Sequence, residues 1–103
     1  MAANTALYVQ SNTTATLVCN LANMRDYPGW SYGPSGATTY TRITWEGLKD
    51  FYQKQDRLSW ADNKRDLLLS AVTREDESLY QCAQTAPGVE GNWQIQLTVR
   101  GKE

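Results

Sequence analysis

Asp76-Glu77-Ser78-Leu79-Tyr80-Gln81-Cys82 is the run on which the fold turns. With Ala83 added, its second half alternates: Tyr80 and Cys82 point to one side of an extended chain, Gln81 and Ala83 to the other. The only other cysteine, Cys19, lies far upstream. That distance is wrong for the CxxC pairs of zinc or redox sites, and the absence of His removes the commonest metal ligand. A long-range disulfide between Cys19 and Cys82 is the natural reading. Such a bridge persists in oxidising compartments, so secretion or cell-surface display is expected. Closing so long a loop stabilises by about 4 kcal/mol in the chain-entropy model.

The same period of two recurs elsewhere. Thr14 to Leu21 places Leu17, Cys19 and Leu21 on one face and Thr16, Val18 and Asn20 on the other. Leu67-Leu68-Leu69 and Val72 follow a turn-rich Asp-Asn-Lys-Arg-Asp stretch, and Trp93, Ile95, Leu97 and Val99 alternate with Gln94, Gln96 and Thr98. Tyr27-Pro28-Gly29 and Gly33-Pro34-Ser35-Gly36 are turn signals around Trp30-Ser31-Tyr32, and Tyr40 to Trp45 reads as the next strand. Helical spacing is sustained nowhere, so the chain is predicted to be all-β.

Length and composition agree. The 103 residues suit one domain, 1–103 with a core over about 5–100, and too little chain remains for a second. With 41% hydrophobic and 20% charged residues the chain is of globular rather than disordered composition. Ten basic against eleven acidic residues, scattered, leave a net charge of -1 and no footprint for nucleic acid. No apolar run is long enough to span a membrane and no signal-peptide pattern opens the chain. Met1 before Ala2-Ala3-Asn4, and an end at Gly101-Lys102-Glu103, read as an expression fragment parted from its targeting sequence and anchor.

Cys19, Trp30 eleven positions later, and the run from Asp76 to Cys82 together resemble the immunoglobulin superfamily over almost the whole chain. The run fits that family's Asp-x-(Gly/Ala/Ser)-x-Tyr-x-Cys signature. The resemblance implies an immunoglobulin-like β-sandwich of the V-set, two antiparallel sheets tied by one inter-sheet disulfide. It implies that Trp30 packs on the disulfide and that Tyr80 forms the tyrosine corner. It further implies that Arg57, in Asp56-Arg57-Leu58-Ser59-Trp60, pairs with Asp76. A competing reading makes Trp45 the core tryptophan, with only 37 residues to Cys82, as in shorter immunoglobulin domains. Trp30 leaves 52, enough for additional C' and C'' strands at Tyr40 to Trp45 and Leu48 to Tyr52. Rearranging antigen-receptor V domains carry Phe/Trp-Gly-x-Gly where this chain has Trp93-Gln94-Ile95-Gln96, which argues against antibody-like pairing.

Catalysis is not expected, because the usual acid-base and nucleophile-activating sets need the His this chain lacks. Glu75, Asp76 and Glu77 are neighbours on a turn whose side chains diverge. No cofactor or metal is expected. Domains of the resembled architecture bind partners through the C, C', F and G sheet face or through end loops. Aromatic anchors favour Tyr40, Trp45, Phe51 and Tyr52 for that face, each equally able to fill core. Gln81, Ala83, Gln94 and Gln96 would add a flat polar patch, and Thr85 to Asn92 is a further candidate loop.

The leading expectation is a cell-surface recognition or adhesion domain that binds a protein partner, a second copy of itself included, with any membrane link through a missing anchor. The alternative is an immune module taking a microbial or carbohydrate ligand on end loops near Tyr27 and Trp93. A structural spacer within a larger ectodomain is a third reading. Asn12-Thr13-Thr14 is an N-glycosylation sequon in the turn before the second strand.

Overall fold

The structure, a computed structural model, describes residues 4–21, 26–34, 39–83 and 92–101. Among these, eight strands form: β1 Thr5–Gln10, β2 Ala15–Leu17, β3 Gly29–Gly33, β4 Thr41–Arg42, β5 Leu58–Trp60, β6 Leu67–Leu69, β7 Ser78–Ala83 and β8 Asn92–Arg100. A single 3-10 turn, Arg74–Asp76, precedes β7. One sheet runs β1-β8-β7-β3-β4 and the other β2-β6-β5.

The sandwich follows from the alternation. Tyr80 and Cys82 face inward on β7 beside Trp30 on β3 and Ile95 on β8, and the second sheet answers with Leu17, Leu67 and Leu69, all buried. Cys19 and Cys82 are bonded across the gap with their Cα atoms 6.0 Å apart. Trp30 is fully buried and its indole N–H donates to the Arg65 carbonyl at 3.0 Å. Trp45 is 51% exposed, which sets aside the reading that made it the core tryptophan.

Four strand expectations are corrected. β1 lies parallel to β8, Thr5 beside Ile95 through Gln10 beside Arg100, so the larger sheet is mixed rather than wholly antiparallel. No hairpin joins these two strands, so no turn dictates their relative direction. The strand from Thr14 is laddered only to Leu17, because the Cys19 N–H donates to the Asp66 carboxylate at 2.9 Å instead of to a neighbouring strand. The strand from Tyr40 is laddered only over Thr41–Arg42. Beyond it the Ile43 and Thr44 N–H groups both turn to the Trp30 carbonyl, at 2.8 and 3.1 Å, and break the register. Thr44 is buried by that kink, its hydroxyl accepting from Trp30 N and donating to Pro28 O, both at 2.9 Å. Leu48 to Tyr52 is no strand: Leu48 N–H closes a turn on Trp45 O at 3.0 Å, Gly47 takes a φ of 82°, and Tyr52 N–H reaches back to Ile43 O at 2.7 Å.

Candidate functional site

Inward Trp30, Tyr80 and Ile95 leave the opposite positions of the same strands as the outer face of the larger sheet. Cross-strand rows define it: Gly29 beside Ala83 beside Asn92, Ser31 beside Gln81 beside Gln94, and Gly33 beside Leu79 beside Gln96. The middle row is bound by side chains, with the Gln94 amide donating to Gln81 Oε1 at 3.1 Å. Down β3 the outward residues are Gly, Ser and Gly, so this strand forms a shallow trough.

Two side chains from β4 and its approach lie into that trough. A Cβ on Gly33 would meet the Tyr40 ring at 2.9 Å and one on Gly29 would meet Arg42 Nη1 at 3.0 Å. At Gly33, where the Thr39 carbonyl also stands 3.1 Å from the Cβ position, the absence of a side chain is a packing requirement of β3. The Arg42 guanidinium also covers the Trp45 ring, 4.5 Å from its centroid.

The candidate residues therefore separate. Gln81 and Ala83 lie on the outer face in adjacent rows, Tyr40 is half-buried against Gly33, and Trp45 projects beside Arg42. Tyr52 is exposed in the segment after Leu48. Phe51 is drawn inward: it stacks on Trp60 with centroids 5.5 Å apart and packs against the core. Trp60 in turn meets Tyr27 edge-on at 5.1 Å and donates its indole N–H to Lys49 O at 2.9 Å, closing the bend beside β5. Trp93 is half-buried against the core, so neither Tyr27 nor Trp93 stands free as the end-loop ligand aromatic of the alternative reading. The Thr85 to Asn92 loop lies outside the described residues but for Asn92.

At the far end of the sheets a charged cluster holds the turn before β7. Asp76 is 1% exposed and receives Arg57 Nη1 at 2.7 Å, Arg57 Nη2 at 2.9 Å, Lys54 Nζ at 2.7 Å and the Thr73 N–H at 2.9 Å. Burial opposes ionisation of Asp76, but the Arg57 and Lys54 hydrogen bonds outweigh it and hold the carboxyl well below the usual carboxylate range. The same hydrogen bond raises the Arg57 guanidinium above its ordinary value. Tyr80 donates its hydroxyl to Asp76 O at 2.7 Å, and burial pushes its pKa up. Glu77 accepts the Val99 N–H at 2.8 Å, so Asp76 and Glu77 both serve the scaffold.

Three contributors had no sequence signal. Lys54, in a left-handed backbone conformation, shares Asp76 with Arg57 and lies 5.1 Å from the Tyr32 ring centroid. Arg42 stands in no motif of the sequence that marks it. Tyr8, 57% exposed, sits outward on β1 under Arg100 at 4.5 Å. Asn12 is exposed in the β1–β2 turn, with φ 65° and its N–H on Val72 O at 2.8 Å.

Comparison with known proteins matches residues 3–100 to the family model of the Immunoglobulin V-set domain. No curated protein matches the chain. Among solved structures, the N-terminal four Ig domains of Dscam1 isoform 6.44 superpose with a TM-score of 0.68 at 22% identity, over 95% of this chain and 23% of that one. The N-terminal eight Ig domains of Down Syndrome Cell Adhesion Molecule (DSCAM) isoform 1.30.30 give 0.66 at 20% identity, over 92% and 11%. This chain thus spans less than a quarter of either neighbour, and at these identities the likeness is one of fold.

Proposed function

This chain belongs to the immunoglobulin V-set family, and on that premise we propose that it is an extracellular recognition domain that binds a protein partner through the outer face of its larger sheet. The observation that supports the reading is Trp45, half exposed and braced by Arg42, so that its ring is available to a partner instead of filling the core. The disulfide supports the extracellular address, and so does the adhesion molecule among the structural neighbours.

Area limits how the face is used. The five strands of this sheet, spaced about 4.8 Å apart and rising about 3.3 Å per residue, offer on the order of 450 Å². A standard interface takes about 800 Å² per partner. Contact therefore extends past β4 onto Trp45 and the exposed Leu48.

Sedimentation of the oxidised domain from micromolar to millimolar concentration tests this together with Trp45→Ala. A reversible dimer abolished by Trp45→Ala makes a second copy the partner, and a strict monomer directs the search to other ectodomains. In either case Trp45→Ala should leave the melting temperature within a few degrees of the parent. A stability loss of about 3 to 5 kcal/mol, the cost of a core aromatic, refutes the face assignment.

A further inference from the structure

We propose that Arg42 is the specificity-determining residue of the outer face, a preformed carboxylate receptor, so that the partner meets the β4 side of this face with an Asp or Glu side chain. The inference rests on the reading of that face as the binding surface.

The charge map comes first. The described outward positions of β3 and β7 are Gly29, Ser31, Gly33, Leu79, Gln81 and Ala83, none of them ionisable. Arg42, paired with Ser31 across β3 and β4, brings a formal charge against them. No described carboxylate lies within ion-pair distance of it, whereas Arg57 and Lys54 are both committed to Asp76. Among the described residues, the guanidinium thus keeps its donor fork out of any ion pair.

Its position is held from two sides. The Trp45 ring lies under the guanidinium at 4.5 Å, and Nη1 lies 3.0 Å from where a Cβ at position 29 would stand. A freely rotating surface arginine loses side-chain entropy when it binds, and one already laid flat between a ring and a backbone loses less. The planar fork fits a carboxylate through two parallel N–H···O bonds, a geometry that neither an amide nor a hydroxyl reproduces with charge. Removing such a partner leaves the other group desolvated and unpaired, which is why these contacts discriminate.

The test uses an array of purified ectodomains of the source organism, this chain included, probed with the multimerised domain. Four forms are compared: the parent, Arg42→Gln, Arg42→Lys and Gly29→Ala, with Gln81→Arg as the marker for the face. The expected result is a partner whose binding falls about 30-fold or more with Arg42→Gln. Arg42→Lys, which keeps the charge and loses the fork, should fall roughly tenfold. Gly29→Ala, which displaces Nη1 without touching the charge, should weaken binding at an unchanged melting temperature. Neutralising one Asp or Glu of the partner should reproduce the Arg42→Gln loss and add nothing on top of it. Binding that Gln81→Arg abolishes but Arg42→Gln changes less than about twofold overturns the carboxylate receptor and leaves the face standing. Binding indifferent to Gln81→Arg, or no binding to any ectodomain, overturns the face and the receptor with it.

Discussion

Replacing Asp76 with Asn should destabilise this domain more than any other single change of charge. The carboxylate is 1% exposed and sits between two cations whose side chains are themselves largely shielded, Lys54 at 14% and Arg57 at 27% exposed. An amide keeps the shape but offers one acceptor oxygen where the carboxylate accepts from Arg57 through both oxygens and from Lys54 and Thr73 besides. Two cations would then face each other across a neutral group. Breaking one partner out of a buried ion pair costs about 3 to 5 kcal/mol, and the residual water contact of Arg57 favours the lower end. For a domain of this size that corresponds to a fall in melting temperature of roughly 12 to 25 °C. Urea unfolding of parent and variant at pH 7, with the disulfide intact, measures it as a shift in midpoint at constant slope. The pH dependence has a definite sign. Because the Asp76 pKa is lower in the folded than in the unfolded chain, its contribution is fully present above the unfolded value of about 4 and drains away as pH falls below it. Parent and variant should therefore converge as the pH is lowered from 5 towards 2. A loss under about 1 kcal/mol at pH 7, or a gap that does not narrow in acid, would show that water rather than the cations balances this carboxylate.

Other outcomes follow from single contacts. Tyr80→Phe removes the hydroxyl that donates to Asp76 O and should cost about 1 to 2 kcal/mol by the same unfolding assay, the buried carbonyl losing its partner. Phe51→Ala, which strips the ring stacked on Trp60, should cost about 2 kcal/mol, since the ring is half-buried, and leave partner binding intact, the reverse of Trp45→Ala. We propose that Asn12 carries an N-glycan: on secretion from eukaryotic cells the chain should lose one glycan mass on glycosidase treatment, and Asn12→Gln and Thr14→Ala should each abolish the shift. A secreted chain of unmodified mass would refute it.

How far the sequence reaches is clearest where a residue's role is written in its own neighbourhood. Tyr80, Cys82, Ile95, Leu97 and Val99 are inward because strict alternation records which side of a strand is buried, and the family match over residues 3–100 agrees with the fold they imply. Gln81 and Ala83 are outward by the same rule. The rule fails between Trp30 and Trp60. There the Ile43 and Thr44 N–H groups share one carbonyl and shift the phase, so no period tells Trp45 from Phe51. Trp45 is exposed and Phe51 packed because the turn closed by Leu48 and the Tyr52–Ile43 hydrogen bond decide the path of the chain. Lys54 and Arg42 were invisible for a related reason. Their partners, Asp76 at 22 positions and Gly29 on the neighbouring strand, are brought near only by sheet assembly. Local alternation in the sequence thus determined an all-β chain, its inward set and the polarity of its outer face, and the family resemblance carried by Cys19, Trp30 and the run from Asp76 to Cys82 implied the sandwich. Only the tertiary structure decided which aromatic is presented and which cation lies over it, because those depend on distances across strands that no local pattern encodes.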